Sequence, residues 1–178
     1  MESLARKAVV AALVGELRNR GSWCGEMHVQ KSTYFLQELL DVDLGYQFVF
    51  YKHGPYSFEL SDVITSMIGD GFLELRPQAY PYGPSIDVSE FGSRLQPYFP
   101  PPVQEPIGLI GEVLGEKTAR QLERLATALY VTVRAEGQDK VSRASRVLEL
   151  KPHIPQEKAL AAVEEVDQII ERAAELTS

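Results

Sequence analysis

The sequence of 178 residues is poor in cysteine and has no long apolar run. Its single cysteine, Cys24, excludes an internal disulfide and is typical of a reducing compartment. No stretch approaches the roughly 18 uninterrupted apolar residues of a membrane span. The short apolar run near the start is flanked by Glu2, Glu16 and Arg18, unlike a secretory signal. We therefore expect a cytoplasmic protein without membrane segments.

Positive charge is also scarce. The sequence has 18 Lys and Arg residues and 25 Asp and Glu residues, which gives a net charge of −7. Residues 21–115 hold four basic and twelve acidic groups, whereas residues 116–151 hold eight basic and five acidic groups. Residues 1–20 hold four basic and two acidic groups. A polyanion such as DNA would find a favourable surface only near the first helix or within 116–151.

Catalytic motifs are missing as well. The sequence has no G-x-S-x-G elbow and no glycine-rich phosphate loop with its lysine and serine. Cys24 and His28 are four residues apart and could share a helix face, but two ligands do not close a metal site, and adding His53 as the third is speculative. A buried thiol and a polar histidine are the simpler interpretation. We expect no catalytic residue, no metal and no cofactor, and an enzyme built around these three residues is the third hypothesis.

The hydrophobic spacing predicts a mostly helical fold with a small β-hairpin. An extended segment is expected at 46–51, and a hairpin at 72–76 and 85–89 with its tip at 77–84. Pro55 is expected in the first turn of a helix. The predicted helices span residues 4–19, 26–40, 56–68, 107–114, 118–134, 139–150 and 156–176.

The order of three helices followed by a hairpin predicts a winged-helix-like N-terminal lobe over residues 1–95. Consecutive prolines in residues 96–106 predict an extended linker that blocks helix formation. A C-terminal helical lobe is expected over residues 107–178.

A short pattern within the N-terminal lobe resembles a known family. Residues 29–36 read VQKSTYFL, an aromatic stretch follows, residues 51–57 read YKHGPYS, and residues 71–73 read GFL. This order resembles the SocA-like, or Panacea, domain and its YwgA-like relatives, over about residues 8–75. The resemblance implies a bacterial antitoxin-like protein that binds a partner and does not catalyse a reaction.

The Gly-Pro corner, residues 51–60, allows three interpretations: a helix start, a surface for a protein partner, or an anion or catalytic site. Gly54 lets the chain turn sharply before Pro55, and Ser57 can cap the following helix. A protein partner of the toxin or protease-adaptor type is expected, and a homodimer stays open. The candidate partner-binding residues are Lys31, Tyr34, Lys52, His53, Gly54, Pro55, Tyr56 and Ser57.

DNA binding is the natural alternative for a winged helix, but the predicted recognition helix 56–68 argues against it. This helix contains no Lys or Arg and carries Glu59 and Asp62, although phosphate contacts supply most DNA affinity. The alternative function is a transcriptional regulator that uses segment 116–151, whose ordinary interpretation is a solvated helical face. Its candidate residues are Arg120, Arg124, Arg134, Lys140, Arg143 and Arg146. The favoured function is a non-enzymatic protein-interaction module, antitoxin- or adaptor-like.

Overall fold

The computed structural model describes residues 1–135 and 138–176. The chain is mostly helical with a small antiparallel hairpin of residues 73–76 and 85–88, as the sequence predicts, and it has a second small hairpin that the sequence analysis did not predict. None of the helices in these ranges is long and apolar enough to cross a membrane. The helices are α1 (Ser3–Asn19), α2 (Glu26–Leu39), α3 (Phe58–Gly69), α4 (Gln104–Leu114), α5 (Ala119–Thr132), α6 (Lys140–Leu150) and α7 (Gln156–Leu176). The strands are β1 (Val49–Tyr51), β2 (Gly54–Tyr56), β3 (Leu73–Arg76) and β4 (Ser85–Val88).

Local capping signals fix several helix starts close to where the sequence places them. Thr118 accepts a hydrogen bond from the Gln121 amide, and the Gln121 side chain in turn accepts from the Thr118 amide, which forms a capping box for α5. Asp139 accepts from the Ser142 amide at the start of α6. These side chains satisfy amides that have no partner within the helix.

The prediction that Pro55 begins a helix is wrong. Pro55 lies in β2 and pairs with Phe50 of β1, and α3 begins only at Phe58. The fixed φ of proline suits the edge of a hairpin as well as a first helical turn, so the residue alone did not distinguish the two. The corner is therefore a second hairpin followed by a helix.

The extended linker predicted for residues 96–106 is also wrong. The chain forms two 3-10 segments, Phe91–Tyr98 and Pro101–Val103, and α4 then starts at Gln104. Leu95 and Val103 are buried, and the first 3-10 segment packs against α1. Proline is tolerated in first turns because its missing N–H has no partner there.

The hydrophobic core is continuous across the two predicted lobes. Helix α1 packs against α4, α2 packs against α5, and α7 packs against both α5 and α6. Helix α5 is central, with Leu122, Leu125 and Leu129 all buried. Val133 follows the end of α5 and is exposed.

Truncation of the α5 face should destabilise the protein. Leu122→Ala and Leu125→Ala should each lower the free energy of unfolding by roughly 2–5 kcal/mol, because each leaves a cavity in the core. Val141→Ala, at an exposed position of α6, is the control and should change it by less than about 0.5 kcal/mol. Urea denaturation measures the free energy of unfolding of the three variants. If the two leucine variants lost no more than the Val141→Ala control, the assignment of Leu122 and Leu125 to the buried face of α5 would be wrong.

Candidate functional site at the Gly-Pro corner

The hairpin of β1 and β2 packs against α2 and α5. Gly54 has φ +87°, a conformation that side chains rarely adopt, and both Gly54 and Pro55 are buried. A Cβ atom at Gly54 would lie 3.2 Å from Oγ1 of Thr127 on α5. The positive φ therefore favours glycine here, and a side chain would also make a tight contact with α5.

Two adjacent side chains of α2 hold the backbone of this corner. The Gln30 amide donates to the Ser57 carbonyl at 2.9 Å and accepts from the Ser57 N–H at 2.9 Å. The Lys31 ammonium donates to the Pro55 carbonyl at 2.7 Å. Both side chains are buried, so these bonds satisfy polar groups that have no access to water. We call this pair the α2 clamp.

Ser57 completes the junction between β2 and α3. Its hydroxyl accepts from the Leu60 amide at 3.2 Å, which confirms the predicted cap. The same residue is thus bonded through its backbone to Gln30 and through its side chain to the first turn of α3. The direction in which α3 leaves the hairpin follows from these bonds.

A carboxylate on α5 lies at the centre of a group of ionisable side chains beside the clamp. Glu123 accepts from the Lys151 ammonium at 2.9 Å, and its other oxygen is 3.4 Å from Nδ1 of His53. Nε2 of His153 is 3.8 Å from the first oxygen. Burial raises the pKa of Glu123, but Lys151 and His53 together outweigh burial, so its pKa lies below the usual value. Lys151 also donates to the Lys52 carbonyl.

Lys31 is only 1% exposed, and its environment disfavours the charged form. Burial lowers its pKa to about 8, an effect that Glu123 partly opposes and Lys151 reinforces. A lysine that lacks solvent is tolerated only because its donors have a fixed acceptor and a carboxylate lies near.

The outer face of the corner carries three aromatic rings in mutual contact, which we call the aromatic triad: Tyr51, Tyr56 and Phe58. Their ring centroids are 5.9 Å apart for Tyr51 and Tyr56, 5.5 Å for Tyr51 and Phe58, and 5.1 Å for Tyr56 and Phe58. Tyr51 is exposed, and Phe58 is 57% exposed. The Tyr56 hydroxyl donates to Glu26 at 2.9 Å, so the ring is fixed in position.

The structure separates the predicted partner-binding residues into two groups. Lys52 and His53 are exposed, and Tyr56 is half-buried. The buried ones are Lys31, Tyr34, Gly54, Pro55 and Ser57. The buried group shapes the corner and does not offer a contact surface, which corrects the expectation that all eight could touch a partner.

Tyr34 illustrates this correction. Its side chain is fully buried, its ring lies 5.1 Å from that of Phe48, and its hydroxyl accepts from Arg134 at 3.4 Å. Burial raises the pKa of this hydroxyl above its usual value. The residue therefore joins α2 to the end of α5 inside the protein.

The sequence analysis did not identify Tyr51 and Phe58 as candidate residues of a binding surface. It also did not identify the three residues that support the corner, Gln30, Glu123 and Lys151. The aromatic pair gave no signal, since aromatic residues at such positions are more often buried. Glu123 and Lys151 are far from residues 30–31 and 51–57 in sequence, and no spacing rule connects them.

The basic residues of segment 116–151 do not form a single face. Arg143 is buried and binds Asp167 through two nitrogens, at 2.7 and 2.9 Å. The Arg134 guanidinium lies 3.8 Å from the ring centre of Tyr130, and Arg146 pairs with Glu149. Arg120, Arg124 and Lys140 form no ion pair among the described residues. Arg143 is thus removed from the exposed candidates for phosphate binding.

Cys24 and His28 do not share a helix face, because Cys24 precedes α2. Burial raises the pKa of the Cys24 thiol to about 12, an effect that Arg18 partly opposes and Asp87 reinforces. A neutral thiol is a poor nucleophile and a poor metal ligand. In residues 1–135 and 138–176, no three His, Cys, Asp or Glu side chains are placed to hold a metal ion.

Substitution of Gly54 should lower the free energy of unfolding by more than the positive φ alone would explain. Gly21→Ala is the matched control, since Gly21 has φ +82° and a Cβ atom there would have nothing within 4 Å. Gly21→Ala should cost about 1–2 kcal/mol. Gly54→Ala should cost roughly 1–3 kcal/mol more, because its methyl group meets Thr127. If urea denaturation showed the same decrease in the free energy of unfolding for Gly54→Ala and Gly21→Ala, the contact with Thr127 on α5 would have no effect on stability.

The buried Lys31 should make stability depend on pH in the alkaline range. Between pH about 8 and about 10.5 the unfolded chain keeps a proton that the native chain has lost, so the free energy of unfolding rises with pH. Relative to Lys31→Met, the unmodified protein should gain up to roughly 3 kcal/mol across this window, and the gain disappears as pH falls through about 8.

Urea denaturation at a series of pH values measures this difference. Lys52→Met, next to the corner but exposed, is the control and should follow the unmodified protein over the whole range. A constant difference between Lys31→Met and the unmodified protein would mean that Lys31 stays charged in the native state.

Comparison with protein families and with curated proteins finds no match for this chain. The resemblance to the SocA-like domain therefore stays a prediction, and a function for the chain has to be inferred from the geometry of the corner.

Proposed function

We propose that this protein is a non-enzymatic interaction module, antitoxin- or adaptor-like, that binds a protein partner through the aromatic triad. The observation that carries the proposal is the exposure of Tyr51 and Phe58 on a corner whose backbone is held by buried side chains. The SocA-like resemblance and the single, buried cysteine support an antitoxin-like role in the cytoplasm.

The exposed rings have the properties of a binding hot spot. Large aromatic side chains contribute much of the binding energy at protein interfaces, usually from a small central cluster. Phe58 stands in the first turn of α3 and contacts both tyrosines of the triad. Covering an apolar ring exposed to this extent makes the free energy of binding more favourable.

The α2 clamp gives this surface a fixed shape before any partner arrives. Gln30 and Lys31 hold the backbone of residues 55–57, and Glu26 holds the Tyr56 hydroxyl. A surface that is already ordered loses little conformational entropy on binding. Rigid support below exposed rings is therefore an advantage for recognition.

Charge next to the triad indicates what the partner should present. Lys52 and His53 are exposed at the turn of the hairpin, and the Lys52 ammonium lies 6.0 Å from the Tyr51 ring centre. Glu59, the residue after Phe58, is already paired with Arg6 at 2.8 Å. We infer a partner, of the toxin or protease-adaptor type, with an apolar pocket for Phe58 and acidic groups facing Lys52.

The chemistry of the corner favours binding over catalysis. The Ser57 hydroxyl is engaged as a helix cap, and the Lys31 ammonium is engaged with a carbonyl. His53 faces Glu123 and not a serine or cysteine. A nucleophile with an adjacent base, which covalent catalysis needs, is not found among these groups.

The alternative, a DNA-binding regulator, has less support. Arg143 and Arg146 are engaged with carboxylates, and α3 carries acidic groups on its surface. The other cations of segment 116–151 would have to supply the phosphate contacts alone.

Retention of a partner from the native host should depend on Phe58. Immobilised protein should retain a specific protein that Phe58→Ala retains about tenfold less, or not at all, because the ring is lost from the interface. Tyr80→Ala is the matched control, since Tyr80 is 97% exposed but lies on the tip between β3 and β4. Mass spectrometry identifies the retained proteins, and thermal melting checks that both variants fold.

Two outcomes would contradict this proposal. The same proteins could be retained by Phe58→Ala, or both substitutions could reduce retention equally. Retention of duplex DNA that is lost in an Arg120→Ala and Arg124→Ala double variant would favour the transcriptional regulator.

A further inference from the structure

A concave surface adjoins the support of the aromatic triad at Glu26. We call it the hairpin cleft: it is bounded by the start of α2, by α3, by the β3–β4 hairpin and by the turn from α4 to α5, and its volume is about 850 Å³. Small-molecule sites in proteins commonly have volumes of roughly 300–1,000 Å³ and mainly apolar walls. The size of the cleft therefore suits a small organic molecule.

The walls of the cleft are aromatic and aliphatic. The rings of Trp23 and Tyr82 contact each other, with centroids 4.8 Å apart and planes tilted by 45°. Ile64 and Ile68 of α3 and Leu75 of β3 also line the cavity. An aromatic pair beside aliphatic side chains favours a flat apolar group, and its ring faces attract cations.

The charged side chains of the cleft favour a positive ligand. Glu26 and Glu116 both line it. Glu26 accepts from the hydroxyls of Tyr56 and Ser61, and neither Glu26 nor Glu116 forms an ion pair among the described residues. Lys117, which also lines the cleft, is neutralised by Glu165 at 2.5 Å. A cation entering the cleft would meet carboxylates that no described cation neutralises.

His28 adds no opposing charge. It is 5% exposed at the wall of the cleft, and its Nδ1 atom has no hydrogen-bond partner among the described residues. Burial lowers its pKa, although a hydrogen bond to the backbone of Lys117 acts in the other direction, so the ring is neutral at neutral pH. An unpartnered polar atom at this depth is unusual in an apolar wall.

The helix starts near the cleft do not create an anion site. The first amides of α5 face the capping box of Thr118 and Gln121. The first turn of α2 already contains the carboxylate of Glu26. Both arrangements offset the positive end of the helix dipole.

We propose that the hairpin cleft binds a small aromatic amine, with its ring against Trp23 and Tyr82 and its ammonium group facing Glu116. This site shares Glu26 with the support of the partner surface proposed above, but the proposal does not depend on that surface. The ligand class follows from the aromatic walls together with the two carboxylates.

Three matched probes test the proposal: phenethylamine, phenylethanol and phenylpropionate, which share a ring and differ in charge. Trp23 is the one tryptophan of the chain, so its fluorescence reports directly on the cleft. Phenethylamine should quench it saturably, with a dissociation constant about tenfold lower than that of phenylethanol, and phenylpropionate should bind more weakly still. Isothermal titration calorimetry provides an independent measurement.

Three variants distinguish the contributions of charge and ring. Glu116→Gln, at an exposed position, should remove most of the preference for the amine and leave phenylethanol unchanged. Tyr82→Ala should weaken all binding, whereas Tyr80→Ala, two residues away and outside the cleft, should weaken none. Absence of saturable phenethylamine binding would overturn the proposal. So would equal binding of the amine and the carboxylate, or amine binding that survives Tyr82→Ala.

Discussion

The structure of the corner depends on one constraint, which is that the backbone of residues 55–57 is buried between two helices. Buried carbonyl and amide groups must find partners, and the two adjacent side chains Gln30 and Lys31 supply them. These bonds satisfy the hairpin backbone where β2 packs against α5 and where α3 begins. The α2 clamp thus determines where the aromatic triad stands.

The use of a lysine in the clamp creates a second requirement. Removing an ammonium group from water costs several kcal/mol unless a nearby negative charge compensates. Glu123 supplies that charge from α5, and Lys151, at the end of α6, binds the same carboxylate and the Lys52 carbonyl. The N-terminal corner is therefore joined electrostatically to the C-terminal helices, in addition to the continuous core.

Much of the helical framework could be predicted from the sequence, because caps such as Thr118 and Asp139 and apolar spacing such as Leu122–Leu125 act locally. The cap at Ser57 was predicted for the same reason. The strand at Pro55 was not predicted. The φ of proline fits a strand as well as the first turn of a helix, and the packing of this segment against α5 is not visible in the local sequence. Glu123 and Lys151 could not be predicted, because their roles arise from contacts between distant parts of the chain.

The two proposed surfaces meet at one side chain. Glu26 holds the Tyr56 hydroxyl of the triad and also lines the hairpin cleft. Substitution of Glu26 would therefore alter a contact on each surface, and its effect could not be assigned to either. Phe58 belongs to the triad and does not line the cleft, whereas Glu116 lines the cleft and lies outside the triad. Because each of these two residues belongs to one of the surfaces and not to the other, binding of a protein and binding of an amine can be tested independently.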